Sequence, residues 1–222
     1  MGTTLEQLSD ANHSCMIYQN ADQQVTVTAE FLKIGLARNE QCVFLEMPEK
    51  LAQVRALLQE FGVDTADAER RKALVLSAKR DFLFQGRFDS RRMLAFLSTA
   101  IADSSAMGFT ALRATGDMNW ELGAAQDFQL LIDYEAQLDA FARTQRLVGL
   151  CQYQRYTVSS LAICNALETH QGVVMGRNFC EDNLYYQPPD VKLETDTARR
   201  EQRKGEWMCQ QLSRLMPQAL IK

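Results

Sequence analysis

The sequence is poor in histidine, with only His13 and His170 in 222 residues, and neither lies near a GxSxG elbow. A hydrolase built on a serine–histidine–carboxylate triad therefore has no visible support. Apolar runs are short: none approaches the ~20 residues that span a bilayer, and the start, MGTTLEQLSDANH, lacks the basic and apolar parts of a signal peptide. The expectation is a cytoplasmic protein without membrane contact. Positive charge is not in excess either, the formal net charge being -4, so direct nucleic-acid binding is not expected. The six cysteines (Cys15, Cys42, Cys151, Cys164, Cys180 and Cys209) include no CxxC pair, and four sit in apolar stretches, which reads as thiols rather than disulfides.

What the sequence does contain is an alternation of short apolar runs and helical periodicities. A strand at 15–18 precedes a helix at 25–37 carrying Val27, Phe31, Ile34 and Leu36. CVFLEM (42–47) has the composition of a buried parallel strand, Pro48 suits a helix start before Leu51, Val54, Leu57, Leu58 and Phe61, and Gly62 marks its end. The pattern repeats with ALVLSA (73–78) and a helix at 90–107, FTALRAT (109–115) and a helix at 125–144, and RLVGLCQY (146–153) and a helix at 158–170. Five such units predict an α/β fold of three layers, a mainly parallel sheet with helices on both faces. A sixth strand at 172–175 is expected at an edge. Beyond 185–189 the composition becomes charged, and Trp207, Met208, Leu212, Leu215 and Met216 are spaced for one face of an amphipathic C-terminal helix over 195–216. That helix can pack back, pair with a copy of itself, or continue into a partner.

Ligands of open parallel sheets bind outside the carboxyl ends of the strands, here 18–22, Glu46, Lys79, 115–120 and 152–156. The first of these loops, YQNADQQVT (18–26), has no glycine and no lysine, so it cannot cradle phosphate; ATP is not expected as a cofactor, nor is nucleotide-driven enzyme activity. His13 and Cys15, one residue apart, project from the same face of a strand and could share a metal or a ligand; the bland reading is a capping histidine and a core cysteine. In LRATGDMNW, Arg113, Asp117 and Trp120 can form a charge clamp with an aromatic wall. The structural alternative is an Arg113–Asp117 ion pair with Trp120 over the core. Tyr134 and Glu135, on a helix, read as packing plus solvated charge.

Taken in order, HSCMIY (13–18), FLKIGLARNEQCVFLE (31–46), GRF (86–88), GFTALRATGDMNW (108–120), DYEAQL (133–138), LCQY (150–153), His170 and NLYYQPP (183–189) resemble the MEDS family. This is the sensory domain named for methanogens, methylotrophs and the regulator of dichloromethane dehalogenase. The resemblance implies one sensory domain over 10–190, with 191–222 a helical extension. It also implies a RecA-like fold, related to circadian-clock ATPases, that has lost the phosphate-binding motif, in agreement with the loop at 18–26. Family members sense small organic compounds such as hydrocarbon derivatives and are attached to DNA-binding, kinase or anti-sigma modules. The family's histidine and cysteine match His13 and Cys15, and its arginine, acidic and tryptophan positions match Arg113, Asp117 and Trp120, with Asp117 where the longer glutamate is more usual.

The resulting expectation is a regulatory domain, not an enzyme, that binds a small ligand and signals to a transcription or signal-transduction partner. The expected ligand-binding residues are His13, Cys15, Tyr18, Glu46, Arg113, Asp117, Trp120 and Tyr153. The alternative is a metal- or redox-responsive switch on His13, Cys15 and Cys151, to which His170 could be added only by the fold. Because His13 lies toward the amino end of its strand and Asp117 at a carboxyl edge, the two need not share a site. Neither a helix-turn-helix nor a kinase signature is present, so output is expected through a separate regulatory protein, a homo-oligomer, the C-terminal helix or a domain outside this sequence.

Overall fold

The computed structural model describes residues 5–8, 12–80, 83–119 and 128–215. Its centre is a seven-stranded sheet of β1 (Asn12–Tyr18), β2 (Gln41–Leu45), β3 (Leu74–Ser77), β6 (Leu112–Asp117), β7 (Leu147–Gln154), β8 (Gly172–Met175) and β9 (Asn178–Cys180). The order is β3-β2-β6-β7-β1-β8-β9, and every pairing is parallel except β8 with β9. The expected α/β architecture is therefore present. β2 is buried along its whole length, which is why QCVFL shows no alternation of apolar and polar residues.

The helices cover both faces. On one lie α1 (Ala21–Ala37), α2 (Pro48–Glu60) and α3 (Thr65–Arg70), whose Phe31, Leu32, Val54 and Leu58 pack on Met16, Phe44 and Leu150. On the other lie α4 (Ser90–Ala106), α5 (Phe128–Ala142) and α6 (Ser160–Thr169), whose Leu97, Tyr134, Leu138 and Ala166 pack on Ile17, Leu45 and Cys151. Starts are set by local chemistry: Asn20, Asp89 and Ser159 cap α1, α4 and α6 by accepting a backbone N–H in the first turn, and Pro48 opens α2. Gly62, at φ 82°, ends α2 in a conformation that disfavours a side chain.

Several boundaries depart from the sequence expectation. The strand placed at 109–115 runs instead over Leu112–Asp117, which moves Arg113 to its amino end. β8 is not the edge: β9, short and antiparallel, covers it. A two-stranded hairpin of β4 (Leu83–Phe84) and β5 (Arg87–Phe88), α3, β9 and the single turn α7 (Pro189–Lys192) were not anticipated, being too short to carry a period.

The C-terminal helix, α8 (Thr197–Leu215), packs back at one place. Trp207 Nε1 donates to Tyr186 O at 2.6 Å, and Arg203 Nη1 donates to Asp190 O. Met208 and Leu212 stay exposed and line a groove with the exposed Leu184 and Tyr185. Among the described residues no helix is long and apolar enough to cross a membrane.

Candidate functional site

Side chains alternate across a strand, so the sheet divides the candidate residues between two faces. Tyr18, Glu46 and Asp117 lie at the carboxyl ends on the α1 face. There Tyr18 Oη donates to Asp117, and Gln24 of α1 donates to Glu46 Oε2 (3.3 Å), Asp117 Oδ2 (3.4 Å) and Gln152 Oε1 (3.0 Å). Gln152 Nε2 in turn donates to Thr28 and Thr115 hydroxyls at 2.9 and 2.7 Å. These side chains form one hydrogen-bonded group at the carboxyl edge of the sheet.

Burial pushes Glu46 up to about 7, against the Met47 N–H that favours its ionised form and with the negative charge of Asp117. A folded-state value above the ordinary 4.5 means stability present below that pH and lost as pH rises through about 7. Glu46→Gln is therefore expected to flatten the profile, gaining about 1–2 kcal/mol on the wild type between pH 5 and pH 8. Urea midpoints at pH 5, 6.5 and 8 check this; parallel profiles would sink it.

Arg113 is not part of that edge. It is fully buried near the amino end of β6, where Nε donates to Glu40 Oε2, Nη2 donates to Leu8 O at 3.3 Å, and the guanidinium lies 4.5 Å over the Phe31 ring. Both the clamp and the Arg113–Asp117 pair are thus corrected: the partner is Glu40, and the two residues stand four positions apart along one strand. Gly35 makes the room, since a Cβ there would overlap the Arg113 side chain and come 2.6 Å from Cys42 Sγ. Trp120 lies outside the described residues.

His13, Cys15, Cys151 and Tyr153 point to the opposite face, toward α5 and α6. In register His13 faces Gly149, and Cys15 faces Cys151. His13 Nε2 is 3.4 Å from Cys151 Sγ and 3.2 Å from Glu135 Oε2; His170 Nε2 is 3.4 Å from the same carboxylate oxygen. Tyr153 Oη donates to Glu135 Oε1 at 2.5 Å. Glu135 is fully buried, so its reading as a solvated charge is corrected. The sequence held a signal for it: Glu135 and Asp139 fall inside the stripe Leu131, Tyr134, Leu138 and Ala142, the buried face of α5. The four ligand-type atoms that converge belong to His13, Glu135, Cys151 and His170; Cys15 is not among them.

Beside this cluster, between the sheet and helices α4 and α5, is an apolar cavity of about 40 Å³. Met93, Leu97, Met118, Tyr134, Leu138 and Cys151 are among its lining residues, so Cys151 borders both the cavity and the cluster.

The domain thus combines a mainly parallel sheet, a buried polar centre and an adjoining apolar cavity. Residues 12–171 match the MEDS family, described as the MEthanogen/methylotroph, DcmR Sensory domain, and the chain belongs to this family. The match runs from β1 to the residue after His170 and contains the whole cluster. The chain is also similar to the transcriptional repressor DcmR of Methylorubrum extorquens (strain DSM 6343 / CIP 106787 / DM4), at 24% identity over 161 residues. That alignment covers 72% of this chain and 58% of the repressor, so the chain spans less than two thirds of its relative. Family and relative together support a sensory, regulatory role.

Proposed function

We propose that this domain binds a small apolar molecule in the cavity under α4 and α5 and passes the bound state to a transcriptional or signalling partner without transforming the ligand. The cavity carries this reading. Protein interiors pack closely, and an apolar void that persists is a ready site for a small apolar guest. A volume of about 40 Å³ is far below the roughly 150 Å³ that accepts benzene, so the expected guests have roughly one to three heavy atoms, as in light halocarbons and alkanes. Binding favours whichever arrangement of α4 and α5 keeps the cavity open, and that difference in affinity is the signal. The exposed apolar residues Leu184, Tyr185, Met208 and Leu212 offer a surface for the output partner or a second copy.

Met93 and Met118 supply the test. With methyl-labelled methionine, a titration with small halocarbons and alkanes is expected to shift these two resonances saturably and leave exposed Met175 unmoved. Ala100→Leu, which fills the cavity from α4, is expected to weaken binding at least about tenfold, the equivalent of 1.4 kcal/mol. Absence of saturable shifts up to the solubility limit of every compound would remove the proposal.

A further inference from the structure

The buried cluster on the α5 face supports an inference that goes beyond ligand sensing in the cavity. We propose that His13 Nε2, Glu135 Oε2, Cys151 Sγ and His170 Nε2 form a closed, four-coordinate site for one zinc-like divalent ion. The set differs from the switch expected from sequence, with Glu135 and His170 in place of Cys15.

Geometry is the first support. A tetrahedral zinc site with bonds of about 2.0–2.3 Å has ligand–ligand edges of roughly 3.3–3.7 Å. The separations of 3.2, 3.4 and 3.4 Å are already edges of that size, and all four atoms lie within 4.8 Å of one another. The remaining edges, none longer than 4.8 Å, would have to close by at most about 1 Å around an ion.

Hydrogen-bond accounting is the second. His170 Nδ1 sits 2.7 Å from Ala166 O, and a carbonyl can only accept, so the proton is on Nδ1. In the neutral ring Nε2 then presents a lone pair to Glu135 Oε2. Both atoms are buried, and neither makes a hydrogen bond among the described residues. Two acceptors aimed at each other are repulsive unless a proton or a metal cation stands between them, and burial disfavours the doubly protonated ring. Metal-binding histidines are commonly oriented by an outer carbonyl or carboxylate. Ala166 O fills that place for His170, and Asp139 Oδ1, 3.8 Å from His13 Nδ1, stands behind the other ring. Asp139 is itself fixed by the Tyr186 hydroxyl at 2.7 Å.

Charge and softness complete the argument. A glutamate and a thiolate together neutralise a dication, which a buried site requires. Two imidazoles and a thiolate favour zinc over the oxygen-seeking magnesium and calcium. On binding, the Cys151 thiol gives up its proton and forms the metal–sulfur bond, with no change of oxidation state. The ligands come from β1, α5, β7 and the α6–β8 junction, so the ion would clamp α5, one wall of the cavity, to the sheet.

The test needs no organic ligand. Full-length chain purified without chelator or metal-affinity chromatography is expected to contain about one zinc per chain by elemental analysis. The same chain, unfolded with chelator and reductant and refolded with cobalt(II), is expected to show tetrahedral d–d absorption and a sulfur-to-cobalt charge-transfer band. Cys151→Ser should abolish that band, and His170→Ala should abolish stoichiometric cobalt binding. A variant with the exposed Cys164, Cys180 and Cys209 all changed to serine should keep the spectrum intact. No metal in either preparation, a band that survives Cys151→Ser, or a band lost in the triple variant would each overturn the site, the first leaving a simple buried His13–Glu135 ion pair. None of these readouts depends on the cavity, so the two proposals fail separately.

Discussion

Arg113→Met is expected to destabilise the protein by about 3–5 kcal/mol, because it strands a buried carboxylate. Glu40 is nearly as buried as its partner, and its oxygen accepts from Arg113 Nε in a space closed by Phe31 and Gly35. Methionine replaces the aliphatic stem but leaves Glu40 without a counter-charge and Leu8 O without one of its donors. Changing both partners removes the stranded charge, so Arg113→Met with Glu40→Leu is expected to recover most of the loss. Urea denaturation of the wild type, both single variants and the double variant measures the coupling. A loss below about 1 kcal/mol in Arg113→Met, with no recovery in the double variant, would show that the pair is not holding this corner of the fold. Guest binding in the cavity should be unaffected in variants that remain folded, since Arg113 faces α1 and the cavity lies across the sheet.

The misplacement of Arg113 illustrates what was legible in the sequence. The five strand-and-helix units were readable because each buried strand is a run of apolar residues and each helix has an apolar stripe. The position of a residue along its strand is less legible, because apolar runs blur at their ends. Reading β6 as 109–115 placed Arg113 near the carboxyl edge, whereas the strand ends at Asp117 and Arg113 is its second residue. The elements missed were β4, β5, β9, α3 and α7, each shorter than two helical turns or four strand residues, so propensity had nothing to average over.

The candidate sites were legible by residue type but not by company. His13, Cys15 and Cys151 stood out as ligand chemistry; that Cys151 and His170, rather than Cys15, converge on His13 depends on strand order, which places β7 and β8 on either side of β1. Parity along β1 then separates the two polar centres: His13, Cys15 and Ile17 face α5 and α6, while Met16 and Tyr18 face α1. The expectation that His13 and Asp117 need not share a site thus has a simple cause, since they lie on opposite faces as well as toward opposite ends of their strands. Glu135 was the residue hardest to see, because a carboxylate on a helix is ordinarily solvated, and only its place inside an apolar stripe argued otherwise.

That burial makes Glu135→Ala the other large effect, with an expected loss of about 3–5 kcal/mol in chelator-treated protein. The carboxylate accepts from Tyr153 and lies within 3.4 Å of both imidazoles, so truncation leaves a buried hydroxyl unpaired, removes the charge between two rings and opens a hole. Glu135→Gln keeps the shape and the Oε1 acceptor for Tyr153 and is expected to cost only about 1–2 kcal/mol. Metal binding should follow a different order, because glutamine has no anionic oxygen to offer and fails nearly as completely as alanine. Denaturation midpoints and cobalt titrations on the same two variants therefore separate the roles of this side chain. Equal stability losses would assign its contribution to charge alone, whereas a large difference in stability with cobalt binding lost in both would identify a residue that packs by its shape and binds by its charge.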